Sequence, residues 1–233
     1  MKNRGLMDAN HERSTAGQRQ AGELGLVLES AGSPARAALE QDIAARFAAK
    51  HDAQLNQFHP YLLALQNAGR PLAIAGLRPA RDGALYLEKY FDSPAEQAVS
   101  GVFQTPVDRA QIVEIGNLVS SEPGASYVFF AILAPLLRDA GFRWVICTAT
   151  AQVEGMLKKM NMAPERICAA SPDRLGEEAA IWGRYYDSQP HVIAGDLEKA
   201  ATLVGHKSNL SALIDHLDGW SAAIGKISQR TTR

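Results

Sequence analysis

The chain has 233 residues, 46% hydrophobic and 21% charged, the composition of an ordinary globular protein with room for one domain or two small ones. Lys and Arg number 24 against 25 Asp and Glu, and a net charge of -1 excludes the broad electropositive surface that non-specific nucleic-acid binding requires. Cys147 and Cys168 are too few for a disulfide framework and sit in apolar runs, which points to reduced thiols and a cytoplasmic location. The longest apolar stretch, residues 127–137, contains Pro135 and falls short of the roughly 20 residues of a membrane-spanning helix.

Residues 1–22 are rich in Arg, Asn, Gln, Gly and Ser, lack the apolar core of a secretory signal, and read as a disordered arm. A main domain is expected over residues 23–195. It opens with a strand carrying Leu24, Leu26, Val27 and Leu28. Ser33 and Pro34 then start a helix to Lys50, in which Leu39, Ile43 and Phe47 recur at four-residue spacing. Residues 61–66 and 72–77 flank a turn-length segment with Asn67 and Gly69 and form an antiparallel hairpin. Residues 84–91 read as extended, and Ser93 and Pro94 open a short helix over 95–102. The strongest strand signal covers 111–119, with Ile112, Val113, Ile115, Leu118 and Val119. A turn over 120–126 leads into an apolar helix that Gly141 stops. A strand (143–149), an amphipathic helix (152–160) and a strand (166–170) follow, and this alternation implies parallel pairing in the second half against an antiparallel first half. Residues 196–233 form a helical extension. Its stripe of Leu210, Leu213, Ile214, Leu217 and Trp220 either packs back on its own domain or pairs with another chain as a homodimer.

The turn over 120–126 is the first chemically suggestive feature, because a helix N-terminus offers N–H groups and partial positive charge to an anion such as a pyrophosphate. Only Gly124 is glycine, so a plain connection is the alternative. Glu114 and Asn117 lie three apart on one strand and fall on opposite faces unless a bulge intervenes, for which Gly116 is the natural place. Glu114 either does chemistry or pairs with a basic neighbour such as Arg143. Thr148 and Thr150 suit capping of the next helix as well as substrate contact. Cys147 reads as core. The histidines at 11, 51, 59, 191, 206 and 216 show no metal-ligand spacing, so no metal site is expected. Trp182, Tyr185 and Tyr186 form an aromatic cluster that could wall an acyl pocket or fill core.

Four segments carry a resemblance: LEKYFDSPAEQ (87–97), RAQIVEIGNLVS (109–120), WVICTAT (144–150), and WGRYY (182–186) followed by Pro190, Val192 and Gly195. In order and spacing they are similar to the thermostable haemolysin family, over most of residues 35–195. That family resembles the GNAT acyltransferase superfamily and the acyl-homoserine lactone synthases, in which a strand, a phosphate-binding turn and a helix hold the pantetheine arm of an acyl donor. The resemblance implies a GNAT-like mixed α/β sheet, flanked by helices, in which strand 111–119 splays from strand 144–150. It implies an N-acyltransferase that moves an acyl group from acyl-CoA or an acyl carrier protein to a small amine. The acyl-CoA or acyl-phosphopantetheine would be a co-substrate, with no tightly bound cofactor.

Carried onto this sequence, the resemblance places Glu114 where the lactone synthases have an acidic residue proposed as general base, with Asn117 beside it. Leu118 and Val119 would offer backbone groups to the pantetheine amides, and Gly124, Ala125 and Ser126 would face the donor's phosphate. Glu88, Tyr90, Trp144, Thr148, Thr150, Trp182, Tyr185 and Tyr186 are assigned to substrate. The turn departs from the acetyltransferase pattern of several glycines, since Ser120, Glu122 and Pro123 occupy it. Glu122 would repel a pyrophosphate, which keeps a carrier-protein donor with a single phosphodiester open beside CoA. The family name brings a rival reading, a membrane-active lytic protein, but no helix with a strongly basic amphipathic face stands out. An inactive acyl- or lipid-binding module is the third reading.

Overall fold

The computed structural model describes residues 24–122 and 124–228, and the arm expected over residues 1–22 lies outside them. Three strands open the fold as an antiparallel meander: β1 (Leu24–Ser30), β2 (Tyr61–Asn67) and β3 (Arg70–Pro79). The β2–β3 hairpin turns on Ala68 and Gly69, both at positive φ, as a tight turn matched to strand twist requires. Helix α1 (Arg36–His51) joins β1 to β2 and buries Leu39, Ile43 and Phe47, the residues whose spacing predicted it. After α2 (Ala95–Phe103) come β4 (Ile112–Ser120), α3 (Ala125–Asp139), β5 (Trp144–Ala149), α4 (Ala151–Lys159), β6 (Glu165–Ala169) and β7 (His191–Asp196).

The seven strands form one mixed sheet in the order β1-β2-β3-β4-β5-β7-β6. β4, β5 and β6 run in one direction, as the strand–helix alternation requires. β7, however, inserts between β5 and β6 antiparallel to both, so direct parallel contact is confined to β4 and β5. The apolar core of β7 is only Val192, Ile193 and Ala194, too short a run to betray a strand by periodicity. Residues 84–91 are also not extended: Tyr86–Tyr90 wind into a 3-10 turn. Glu88 turns its carboxylate back to accept the N–H groups of Leu85 and Ala95, both at 2.8 Å, which fixes the turn and starts α2.

Alternation along the strands divides the core into layers. Leu63, Leu65, Val113, Ile115 and Cys147 face α3, whose Phe129, Ile132, Leu133 and Leu136 fill the centre. Leu62, Ala64 and Ile74 face α1 on the other side, and Ile112, Ile146 and Val192 face the layer around Val99 of α2. The C-terminal helices α5 (Leu197–Gly205), α6 (Ser208–Asp215) and α7 (Trp220–Ser228) cover the α3 layer. Leu217 is buried there, and Leu210, Ile214 and Trp220 pack against the same core, so most of the terminal stripe lies on its own domain.

Candidate active site

The β4–β5 ladder runs only from Ile112 opposite Trp144 to Ile115 opposite Cys147. Beyond that point β4 continues on β3 and β5 continues on β7, so the two strands part. The cause is local. Asn117 sits at φ 48°, in the left-handed region, and Asn117 and Leu118 together oppose the single residue Ala75 of β3. This is a β-bulge, and it bends the strand and inverts its alternation. Val113 and Ile115 therefore face α3, while Val119, of the same parity, packs with α1.

The parting strands open a cavity of about 1260 Å³, lined by β4 from Glu114 onward, the end of β5, the start of α4, the end of α1 and the aromatic segment around Trp182. Glu114 is 1% exposed and lies at the closed end of the splay. Its Oε2 accepts the N–H of Tyr86 at 2.8 Å, and its Oε1 is 3.3 Å from Nε2 of His59. The bulge also swings Asn117 to this side, where its Oδ1 accepts the His59 N–H at 3.0 Å. Glu114 and Asn117 thus meet around one histidine. The alternative pairing of Glu114 with Arg143 is overturned, because Arg143 binds Asp196 at 2.8 Å instead.

His59 escaped the sequence reasoning, which scanned histidines for metal spacing alone. It lies in the loop before β2, with its carbonyl and that of Pro60 held by the buried Arg36 of α1 at 2.7 and 2.8 Å. Its ring rests on a pair of glycines, Gly76 of β3 and Gly116 of β4, which face each other in register. A Cβ on Gly116 would stand 2.7 Å from Nε2, and one on Gly76 would stand 2.8 Å from Cβ of His59 and 2.7 Å from Oδ1 of Asn117. An isolated glycine inside a strand marks such a close approach, and two strands each with one were the signal available in the sequence.

The other predicted residues divide. Leu118, Val119, Gly124, Ser126, Thr148, Thr150, Tyr90, Trp182 and Tyr185 line the cavity with Glu114 and Asn117. Ala125, Glu88, Trp144 and Tyr186 do not. Glu88 serves as a clamp outside it: burial pushes its carboxyl up, but Arg109 at 2.6 Å and the two backbone N–H groups more than offset this and hold it at about 2. Trp144 packs on Phe103, ring centroids 4.6 Å apart, beneath α2. The hydroxyl of Tyr186 bonds that of Tyr90 from behind the cavity wall. That wall is aromatic and cross-linked, since Trp182 donates to the Tyr86 hydroxyl at 3.0 Å and Tyr185 donates to Thr148 at 3.1 Å. Thr150 caps α4, so capping and cavity lining coincide in one residue.

At the opposite end, Gly124 at φ 94° starts α3 beside Ser126, whose hydroxyl bonds Ser120 at 2.8 Å. Ser121 is tied to the Leu72 carbonyl through both its N–H and its hydroxyl. Glu122 lines this end, but Arg46, Lys50, Arg70, Arg78 and Lys159 also line the cavity, a cationic contribution drawn from three elements, α1, β3 and α4, that no local sequence window contains. Cys147 reaches the cavity as well. Burial, with the charges of Glu114 and Glu154 added, pushes its thiol up to about 12, so it is protonated and no nucleophile at neutral pH. Among the described residues no group of three His, Cys, Asp or Glu could hold a metal ion, and no helix is long and apolar enough to cross a membrane.

Residues 29–201 match the family described as "Thermostable hemolysin". None of the curated proteins compared matches the chain. Among solved structures, the chain is similar to a CoA-dependent acyl-homoserine lactone synthase, BjaI, solved with SAM and isopentyl-CoA (TM-score 0.55, 10% identity, covering 87% of this chain and 98% of that one). It is similar to the AHL synthase LasI (0.53, 10%, 76% and 91%). It also resembles FeeM, an N-acyl amino acid synthase from uncultured soil microbes (0.51, 10%, 77% and 95%). At these identities the likeness is one of fold.

Proposed function

The chain belongs to the thermostable haemolysin family, and we propose that it is an acyltransferase moving an acyl group from a thioester donor to an amine. The observation that carries this reading is the opening between β4 and β5 with a buried carboxylate, Glu114, at its closed end. Where β5 leaves β4, Leu118 and Val119 line the cavity, and an extended pantetheine arm in the place of the missing strand would meet their backbone groups. The aromatic wall of Tyr86, Tyr90, Trp182 and Tyr185 suits an apolar acyl chain. Gly124 and Ser126, with the cationic side chains, suit the donor's phosphate, and this holds for CoA and for a carrier-protein phosphopantetheine alike. The fold neighbours BjaI, LasI and FeeM are by name acyl-transferring synthases, which supports the reading.

Chemically, an amine is protonated at neutral pH and cannot attack a thioester until it loses a proton, so a proton-accepting site built on the Glu114 carboxylate at the closed end of the opening is a sensible provision. Backbone N–H groups of the splayed strand would stabilise the oxyanion that develops on the carbonyl oxygen. The test is Glu114→Gln against wild type in a thioester-consumption assay over acyl-CoA and acyl-carrier donors with small amine acceptors. Turnover should fall by roughly 10² to 10⁴-fold with donor binding unchanged. A wild type inert toward every donor would refute the reading, and a fully active variant would remove Glu114 from it.

A further inference from the structure

We infer that His59 is a second catalytic residue, which takes the proton of the attacking amine while Glu114 holds its ring and stabilises the imidazolium; this rests on the acyl-transfer reading above. Both oxygens of Glu114 face protein groups, Oε2 the Tyr86 N–H and Oε1 the imidazole, and the residue is 1% exposed. A carboxylate so enclosed is better placed to hold a neighbour than to meet a substrate. The His59 side chain is 9% exposed and lines the cavity, and its Nε2 is buried without a hydrogen-bond partner although Glu114 is 3.3 Å away. The pair therefore has ionic reach but no settled bond, the looseness common in catalytic contacts before substrate binds.

A purely structural role explains the arrangement less well. Arg36 grips the carbonyls of His59 and Pro60, and Asn117 grips the His59 N–H, so the loop is anchored through its backbone without the imidazole. Two strands nevertheless each hold a glycine where the ring lies, at a cost of roughly 0.5–1 kcal/mol per glycine in a strand. The titratable and charged groups on the elements packed against the ring are Glu114 of β4, Arg78 of β3 opposite it, Arg36 of α1, Tyr86 of the 3-10 turn and Cys147 of β5. Tyr86 and Cys147 are both shifted upward, by burial first, and stay neutral near pH 7, so neither competes for the acceptor's proton, and the 3.3 Å approach of Glu114 to Nε2 is the carboxylate–imidazole contact at this end of the cavity.

The step balances without any further reactant. The ammonium of the acceptor gives one proton to His59, the free amine attacks the thioester carbon, and the carbon–nitrogen bond forms as the carbon–sulfur bond breaks. The imidazolium returns its proton to the departing sulfur, yielding a thiol, and the second ammonium proton leaves to water with the amide formed.

The experiment compares wild type, His59→Gln and His59→Ala for kcat/KM against pH between 5 and 9, with donor affinity measured separately. His59→Gln should lose roughly 10² to 10⁴-fold in kcat/KM and bind donor normally. The acidic limb of the wild-type profile should be absent from its residual activity, and added imidazole should restore part of the activity of His59→Ala. Full activity in His59→Gln overturns the assignment, as does a loss with an unchanged pH profile and no imidazole rescue, which would place His59 in packing alone. Should both variants fail to fold, a wild-type profile with no acidic limb overturns it equally. A wild type that consumes no thioester fails the acyl-transfer reading itself, a result distinct from an active wild type with an equally active His59→Gln.

Discussion

Gly116→Ala is the smallest change that reaches the site without altering a polar group. Gly116 does not have a positive φ, so alanine suits its backbone and the effect comes from what the new Cβ meets. It would stand 2.7 Å from Nε2 and 2.8 Å from Cε1 of His59, roughly 0.6 to 0.7 Å inside the 3.4 Å at which ordinary contact begins. The His59 backbone is pinned by Arg36 and Asn117, so relief comes from rotating the ring out of its well, at about 0.5–1.5 kcal/mol. Replacing a strand glycine by alanine returns about 0.5–1 kcal/mol, so net stability should change by less than about 1 kcal/mol, or a few degrees in Tm. Activity should respond far more, because a misplacement on the order of 1 Å costs about 10²-fold in rate. Gly76→Ala is the contrast: its Cβ meets Cβ of His59 at 2.8 Å, which no side-chain rotation relieves, so it should lose about 1–3 kcal/mol of stability as well. Steady-state acyl transfer measured beside thermal unfolding separates the two. Wild-type kcat/KM in Gly116→Ala would show that the position of the ring is immaterial and refute the reasoning.

Two further outcomes follow from groups away from the reaction. Glu88 is held at about 2 against its ordinary 4.5, so the stability it contributes is present above about pH 4.5 and lost as pH falls toward 2. Glu88→Gln should therefore be less stable than wild type by about 1 kcal/mol near pH 7, after allowance for solvent screening, and urea unfolding should show the gap closing through that window; a gap independent of pH contradicts it. Cys147 is buried with its thiol pushed up to about 12, whereas Cys168 is only partly buried. Alkylation of the native protein at pH 7.5 should label Cys168 first and Cys147 only on unfolding, and rapid labelling of Cys147 would show that the cavity floor is open to solvent.

What the sequence discloses and what it hides follow from the range of the forces involved. β2, β3, β4, β5 and α1 were legible because burial of one or two faces imprints period two or period four on a local stretch, as with Leu39, Ile43 and Phe47. β7 was not, because three buried residues between irregular turns carry no period. The 3-10 turn over Tyr86–Tyr90 reads as extended because its aromatic and apolar residues, Leu85, Tyr86, Leu87, Tyr90 and Phe91, are of the types that strands favour, and only the Glu88–Arg109 clamp decides the matter. In the site, the turn at Gly124 stood out as a helix N-terminus, Glu114 took its role as base from the resemblance, and a bulge near Gly116 was foreseeable from the glycine itself. His59 was invisible for a different reason: it belongs to a loop without periodicity, and its meeting with Glu114 depends on two glycines in separate strands and an arginine in a helix.

Asn117 links the shape of the site to its chemistry. A non-glycine residue in the left-handed region costs roughly 1–2 kcal/mol in general, less for asparagine, and glycine would avoid that cost. The neighbouring position 116 is already glycine, yet the positive φ falls on 117. The side chain explains this placement, since Oδ1 accepts the His59 N–H at 3.0 Å and could not do so from an unbulged strand, where Asn117 would face the α3 layer with Val113 and Ile115. The same residue thereby makes β4 leave β5, turns Val119 toward α1 and fixes the histidine beside Glu114. Strain of this kind persists where its surroundings over-determine it, and here they do so at the one point where the opening of the sheet and the placing of the proton acceptor have a common cause.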